Sequence, residues 1–157
     1  MRMSLAGAAI CALLFTATAQ AKKPGTVPVI GPDLAGTSIS VKTKCTPTTC
    51  SVNNLTVNVR NLGDADAPNT RISFYLSADD VLTTQSDGMN VVDIPLHTQS
   101  LGTVKAGKTK KRTLGGGLLK KAGYVGGSYI FVVLDSDDTL VEADETNNTI
   151  SKIILFN

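Results

Sequence analysis

The chain has 157 residues, with 15 Lys and Arg against 13 Asp and Glu for a formal charge of +2, no Trp and one His. So even a balance argues against recognition by bulk charge, and one His with three Cys offers little from which to build nucleophilic or metal catalysis. The length accommodates one domain with a real core and not two.

Arg2 gives the N-terminus a positive start, Leu5 to Phe15 is apolar and uncharged, and Ala19-Gln20-Ala21 is a small-x-small cleavage site. Residues 1–21 therefore read as a cleavable secretory signal peptide. The apolar run is about eleven residues, short of the roughly 20 that a spanning helix needs. Cys11 lies inside this run after Ala8-Ala9-Ile10, a poor context for lipidation. Its removal leaves 14 basic and 13 acidic residues in an exported chain, periplasmic or extracellular. Residues 22–32, punctuated by Pro24, Gly25, Pro28, Gly31 and Pro32, read as a flexible lead, and 33–157 as the folded domain.

Cys45 and Cys50 are then an even pair in an oxidising compartment, and a disulfide follows. The four residues between them form a turn, so the bridge pinches a hairpin between the first two strands. A redox site would prefer Cys-x-x-Cys spacing, and a metal site would need more Cys or His than His97 supplies.

Along the rest of the chain the apolar period is two. Ile39 and Val41, then Leu55, Val57 and Val59, then Ile72, Phe74 and Leu76 alternate with polar or smaller residues, the pattern of half-buried strands. Turn residues separate them: Asn61 to Asp64, Asp66 to Pro68, Asp87-Gly88, Ala106-Gly107 and Gly123 to Gly127. About seven such strands predict an all-β, immunoglobulin-like antiparallel sandwich, its core filled by Phe74, Phe131 and Leu in place of Trp.

Between Ile94 and Leu134 there is no Asp or Glu, while Lys105, Lys108, Lys110, Lys111, Arg112, Lys120 and Lys121 form a basic strip. The strip either blocks strand-to-strand aggregation as a charged edge or meets an anionic surface or envelope polymer, Lys110, Lys111 and Arg112 being its binding candidates. Nucleic acid is not expected, because no aromatic residue lies between His97 and Tyr124 to stack on bases. The strand Tyr129 to Leu134 is apolar on both faces, as is Ile153 to Phe156. Paired as a hairpin they leave a greasy outer face, with Ile130, Val132 and Leu134 as candidate binding residues. Either the Ser77 to Gln99 segment folds across that face, or a protein partner or second copy packs there.

The last strand is preceded by the loop Asp135 to Asn148, with six acidic residues and no basic one. Strand, acidic turn, then Glu142-Ala-Asp-Glu-Thr-Asn-Asn148 resembles the C-terminal signature of the CARDB family, immunoglobulin-like domains whose name stands for cell-adhesion related. Leu55 to Gly63, Ile72 to Ser77 with Asp79 and Asp80, and Ser100 to Val104 with Ala106-Gly107 fit the family in order, covering about residues 33 to 156. One stretch departs from it: Lys108 to Leu114 breaks into Gly115-Gly116-Gly117, leaving that strand's register open.

The resemblance implies an exported, non-catalytic binding or structural module, with adhesion implied by the family name alone. Immunoglobulin-like topology clusters Asp64 and Asp66 with Asp135, Asp137, Asp138, Glu142, Asp144 and Glu145. Such oxygen-rich loops suit calcium, although the EF-hand positions for Gly and Glu hold Leu140 and Thr146. The other reading is a solvated turn fixed by its own side chains. Asp79, Asp80 and Asp87 form a weaker acidic group at the opposite end. No cofactor is required.

Overall fold

The computed structural model describes residues 30–85, 92–122 and 126–156, of which 116–122, 126 and 127 by backbone alone. The expected signal peptide (1–21) and most of the expected lead lie outside these residues, as does Asp87. Among the described residues no helix is long and apolar enough to cross a membrane.

The period-two segments become strands. They are β1 (Leu34–Cys45), β2 (Thr49–Asn61), β3 (Arg71–Ser77), β4 (Ile94–Ser100), β5 (Thr109–Ala122), β6 (Gly126–Leu134) and β7 (Thr149–Phe156). All pairings are antiparallel, in a three-stranded sheet ordered β1-β2-β5 and a four-stranded sheet ordered β4-β3-β6-β7. One face of each sheet carries the alternating apolar residues, and burying the two faces against each other makes the sandwich.

Leu55, Val57 and Val59 from one sheet meet Ile72, Phe74 and Leu76 from the other, all fully buried or nearly so. Phe74 is the largest fully buried side chain and occupies the middle of the core that a Trp would otherwise fill. Phe131 does not join it. It is buried but lies outside the core cluster, because Ile130, Val132 and Leu134 are the inward residues of β6. At most 1% exposed, these three cannot serve as the outer binding residues expected above; Tyr129, Phe131 and Val133 face outward instead.

The glycine run does not end β5. Asn54 pairs with Gly115 and Val52 with Leu119, so β5 carries two residues more than β2 across this step and resumes pairing to Ala122. A bulge takes up the extra residues, and an even number of them keeps the backbone alternation of the strand in step.

Within the long segment after β3, residues 94–100 extend the sheet. β4 pairs alongside β3 as an edge strand. Before it, Asp93 and Thr83 close a loop, with the Asp93 N–H donating to the Thr83 carbonyl and the Thr83 N–H to Asp93 Oδ2, both at 2.8 Å.

Each open side of the sandwich is closed by cationic side chains. Between β1 and β7, Lys152 Nζ donates to the Ile39 carbonyl at 3.1 Å. On the opposite side, Lys110 Nζ donates to the Thr103 carbonyl at 2.9 Å and Arg112 Nη2 to the Leu101 carbonyl. Lys110 and Arg112, both half-buried, are thereby engaged within the fold, which leaves Lys111 as the exposed member of the three binding candidates in the basic strip. The Cys45–Cys50 disulfide joins register partners at the end of the β1–β2 hairpin, with Cα atoms 4.0 Å apart.

Candidate functional site

Three surfaces carry chemistry: the acidic end, the outer face of the four-stranded sheet and the outer face of the three-stranded sheet. At the acidic end, β6 terminates in Asp135, whose backbone takes the left-handed conformation (φ 42°) that lets the chain turn away. Its Oδ2 accepts the Leu140 N–H at 2.8 Å, while Oδ1 accepts the Thr139 hydroxyl at 3.2 Å and the Thr70 hydroxyl in a shorter bond. Burial alone would raise this carboxyl, but the bonds from Thr70, Leu140 and Thr139 outweigh it and hold it below the ordinary aspartate value. Asp137 accepts more weakly from Thr70 and Thr139, at 3.3 and 3.5 Å. Asp138, also left-handed, donates its N–H to the Asp135 carbonyl.

Beyond the turn, Asp144 caps a 3₁₀ turn over Glu145–Asn147, accepting the Thr146 N–H at 2.9 Å and its hydroxyl at 2.6 Å; these bonds lower its pKa. Glu145 accepts the Glu142 N–H and the Asn148 amide at 2.8 and 3.1 Å. Glu142 is buried and accepts the Leu34 N–H at 2.5 Å. Burial pushes its carboxyl above the ordinary glutamate value; the Leu34 bond and the Asn148 amide offset this only in part, and the negative charges of Glu145 and Asp135 add to it.

The neighbouring loops join this end through backbone contacts. Asn61, fully buried, uses Oδ1 to accept the N–H groups of Asp33 and Gly63 at 3.1 and 3.0 Å, and Nδ2 to donate to the Ala65 and Val104 carbonyls at 2.8 and 2.9 Å. Asp33 accepts from Asn147 at 2.7 Å, Asp64 from the Gly31 N–H at 2.8 Å, and Asp66 from the Ala106 N–H at 2.9 Å. The sequence placed these loops together but gave Asn61 no more than a turn role; its position before Leu62-Gly63 is the signal that could have found it.

These carboxylates hold backbone and hydroxyl donors of the chain itself. Among the described residues no group of three or more His, Cys, Asp or Glu side chains is arranged to hold a metal ion. At the opposite end Asp79 fixes its own turn, accepting the Val81 N–H at 3.0 Å and the Ser77 hydroxyl at 3.3 Å, and Asp80 is exposed beside it.

The outer face of the four-stranded sheet is apolar where β6 and β7 pair. Tyr129 lies opposite Ile153 and Tyr75 opposite Phe131, and the Tyr129 and Phe131 rings sit 6.4 Å apart. Ile153 and Leu155 are 52% and 60% exposed. Sequence reasoning located this hairpin but chose the wrong parity of β6, since a strand apolar on both faces does not say which one turns inward.

The outer face of the three-stranded sheet is polar. Pairing lines up Ser38, Asn58 and Lys111 in one row, Ser40, Thr56 and Thr113 in the next, and Lys42 with Asn54 and Gly115 in a third. His97, the one histidine, is exposed on β4 with no nucleophile bonded to it among the described residues.

A CARDB family model matches residues 31–152. Among solved structures, the CARDB domain of a Pyrococcus furiosus protein, in complex with di-metal ions, is 17% identical with a TM-score of 0.54, over 82% of this chain and 96% of that one. A domain of a Methanosarcina acetivorans protein assigned provisionally to the cell surface is 21% identical with a TM-score of 0.58, over 80% and 92%. A β-D-glucoside glucohydrolase of Trichoderma reesei is 11% identical with a TM-score of 0.50, over 79% of this chain but 19% of the enzyme. These likenesses are of fold. No curated protein matches the chain by sequence.

Proposed function

The chain belongs to the CARDB family, and from that we propose that it is an exported binding module that recognises a protein partner, or a second copy of itself, through the outer face of β6 and β7. CARDB domains are non-catalytic modules found in cell-surface proteins. The observation that carries the proposal is the exposure of Ile153 and Leu155, 52% and 60%, beside the half-buried Tyr129 and the Phe131 ring. Aromatic and aliphatic side chains gathered on one sheet face are what the centre of a protein interface requires, and such a patch is costly to leave in water.

Export is supported by the leader pattern of residues 1–21 and by the Cys45–Cys50 pair, which would not persist in a reducing cytosol. The test is the double variant Ile153→Lys/Leu155→Lys. Both positions are exposed, so the fold should survive. Loss of self-association in light scattering, or of a partner captured by cross-linking on the cell envelope, is the expected result. Unchanged association of both kinds would sink the proposal.

A further inference from the structure

Charge is sorted between the strands and the loops. The three strands of the β1-β2-β5 sheet contain no Asp or Glu and eight Lys or Arg. On the outer face Lys42 and Lys111 are exposed, and neither has a hydrogen-bond or ion-pair partner among the described residues. Between them lie Asn54, Thr56, Asn58 and Thr113, lining one shallow hollow with Ser40 and both lysines. Thr56 bonds Thr113 at 3.1 Å and Asn58 bonds Ser38 at 2.9 Å, so these groups are held in place and still carry unused donors and acceptors.

The two cations do not converge. Lys42 pairs with Asn54 and Lys111 with Asn58, four residues along β2 and two strands across, so their Cα atoms stand about 16 Å apart by strand geometry. A compact anion such as phosphate would need charges that close on one point. An extended ligand with spaced negative charges, and with hydroxyls for the neutral rows between, matches the layout. Among the described side chains the face has no aromatic residue for base stacking and no apolar one to enter a bilayer, which weighs against nucleic acid and membrane.

We propose that the outer face of the three-stranded sheet binds an acidic polysaccharide, lying along the diagonal from Lys42 across Thr56 to Lys111. This is independent of the apolar face on the other sheet. Together the two faces would let one domain join a protein to an anionic glycan.

The test uses the exported protein and alginate, a polyuronate, with neutral dextran, anionic vesicles and duplex DNA beside it. Binding to alginate that weakens with salt is expected. Lys42→Gln/Lys111→Gln should lower the affinity about fivefold or more, the scale of two exposed charge contacts, while Lys42→Arg/Lys111→Arg retains it. Lys105→Gln/Lys108→Gln removes equal charge from exposed residues beyond the hollow and should change little. The proposal is overturned by no alginate binding, by equal losses in the two Gln pairs, or by tighter binding to vesicles or DNA than to alginate.

Discussion

The Leu34 N–H donates to Glu142 Oε1 at 2.5 Å, tying the start of the first strand to the loop before the last across 108 positions of sequence. The bond satisfies a buried donor, but with a carboxyl whose pKa burial has raised. Between the unfolded and folded titration ranges the native state holds more protons, so stability falls as pH rises through the window above the ordinary glutamate value. Glu142→Gln keeps an acceptor for Leu34 and removes the charge repelled by Glu145 and Asp135. Denaturant unfolding at neutral pH should show the variant more stable by roughly 0.5–1 kcal/mol, with that downward slope abolished. A less stable variant would show that ionised Glu142 is needed.

Asp135 behaves in the opposite sense. Its folded pKa is lowered, so its contribution is fully present above the ordinary aspartate value and is lost as pH falls through the more acid folded value. Asn tolerates the left-handed backbone there, so Asp135→Asn isolates the charge from the conformation. A loss of about 1.5–3 kcal/mol at neutral pH is expected for a buried, charge-assisted acceptor, with a flatter acid limb of the stability curve.

These two carboxylates mark how far the sequence could be read. The sandwich was legible because alternation at Leu55, Val57 and Val59 and at Ile72, Phe74 and Leu76 is a direct image of one-sided burial. So was the disulfide, whose cysteines fall at facing ends of adjacent strands. The roles of Glu142, Asp135 and Asn61 were not, because each depends on partners 28 to 108 residues away or on which loop lies against which. The parity of β6 and the commitment of Lys110 and Arg112 were hidden for a related reason. Local pattern says that a residue is apolar or cationic, and packing across the sandwich decides what it faces.

The Cys45–Cys50 bridge closes a short loop, so its removal should cost modestly. Chain-entropy scaling for a six-residue loop gives about 2 kcal/mol. Cys45→Ser/Cys50→Ser should lower the urea midpoint with little change in slope, since the hairpin turn retains the Thr46 N–H to Thr49 carbonyl bond at 2.7 Å. Loss of cooperative unfolding would instead make the bridge a condition of folding.

Calcium should matter little to the folded domain. At Asp135, Asp144 and Glu145 a cation would have to displace N–H and O–H donors already in place. Thermal unfolding in calcium and in chelator should agree within about 2 °C. A larger rise with calcium would direct attention to Glu142 Oε2 and the side-chain Oδ1 atoms of Asn147 and Asn148, which are buried with no donor among the described residues.

Two glycines should answer the same substitution with opposite signs. A Cβ on Gly63 would collide with the Gly31 carbonyl oxygen and come within 2.8 Å of Asp33 N and Pro32 C, all backbone atoms that cannot swing aside. The strand entry is held there because Leu62 N–H bonds the Asp33 carbonyl at 2.6 Å and Asp64 N–H the Gly31 carbonyl at 3.1 Å. Gly63→Ala must therefore push the start of β1 away from the Asn61 turn, at a cost of about 1–3 kcal/mol or more. Gly115, at the β5 bulge, has nothing within 4 Å of the added carbon and no left-handed φ to protect. Gly115→Ala should be neutral or stabilising by up to about 1 kcal/mol, since alanine narrows the unfolded ensemble without disturbing the folded one. Calorimetric melting of both variants tests the pair: equal destabilisation would mean that the bulge needs glycine for its conformation, and equal tolerance that the β1 entry can retreat from the Asn61 turn without loss.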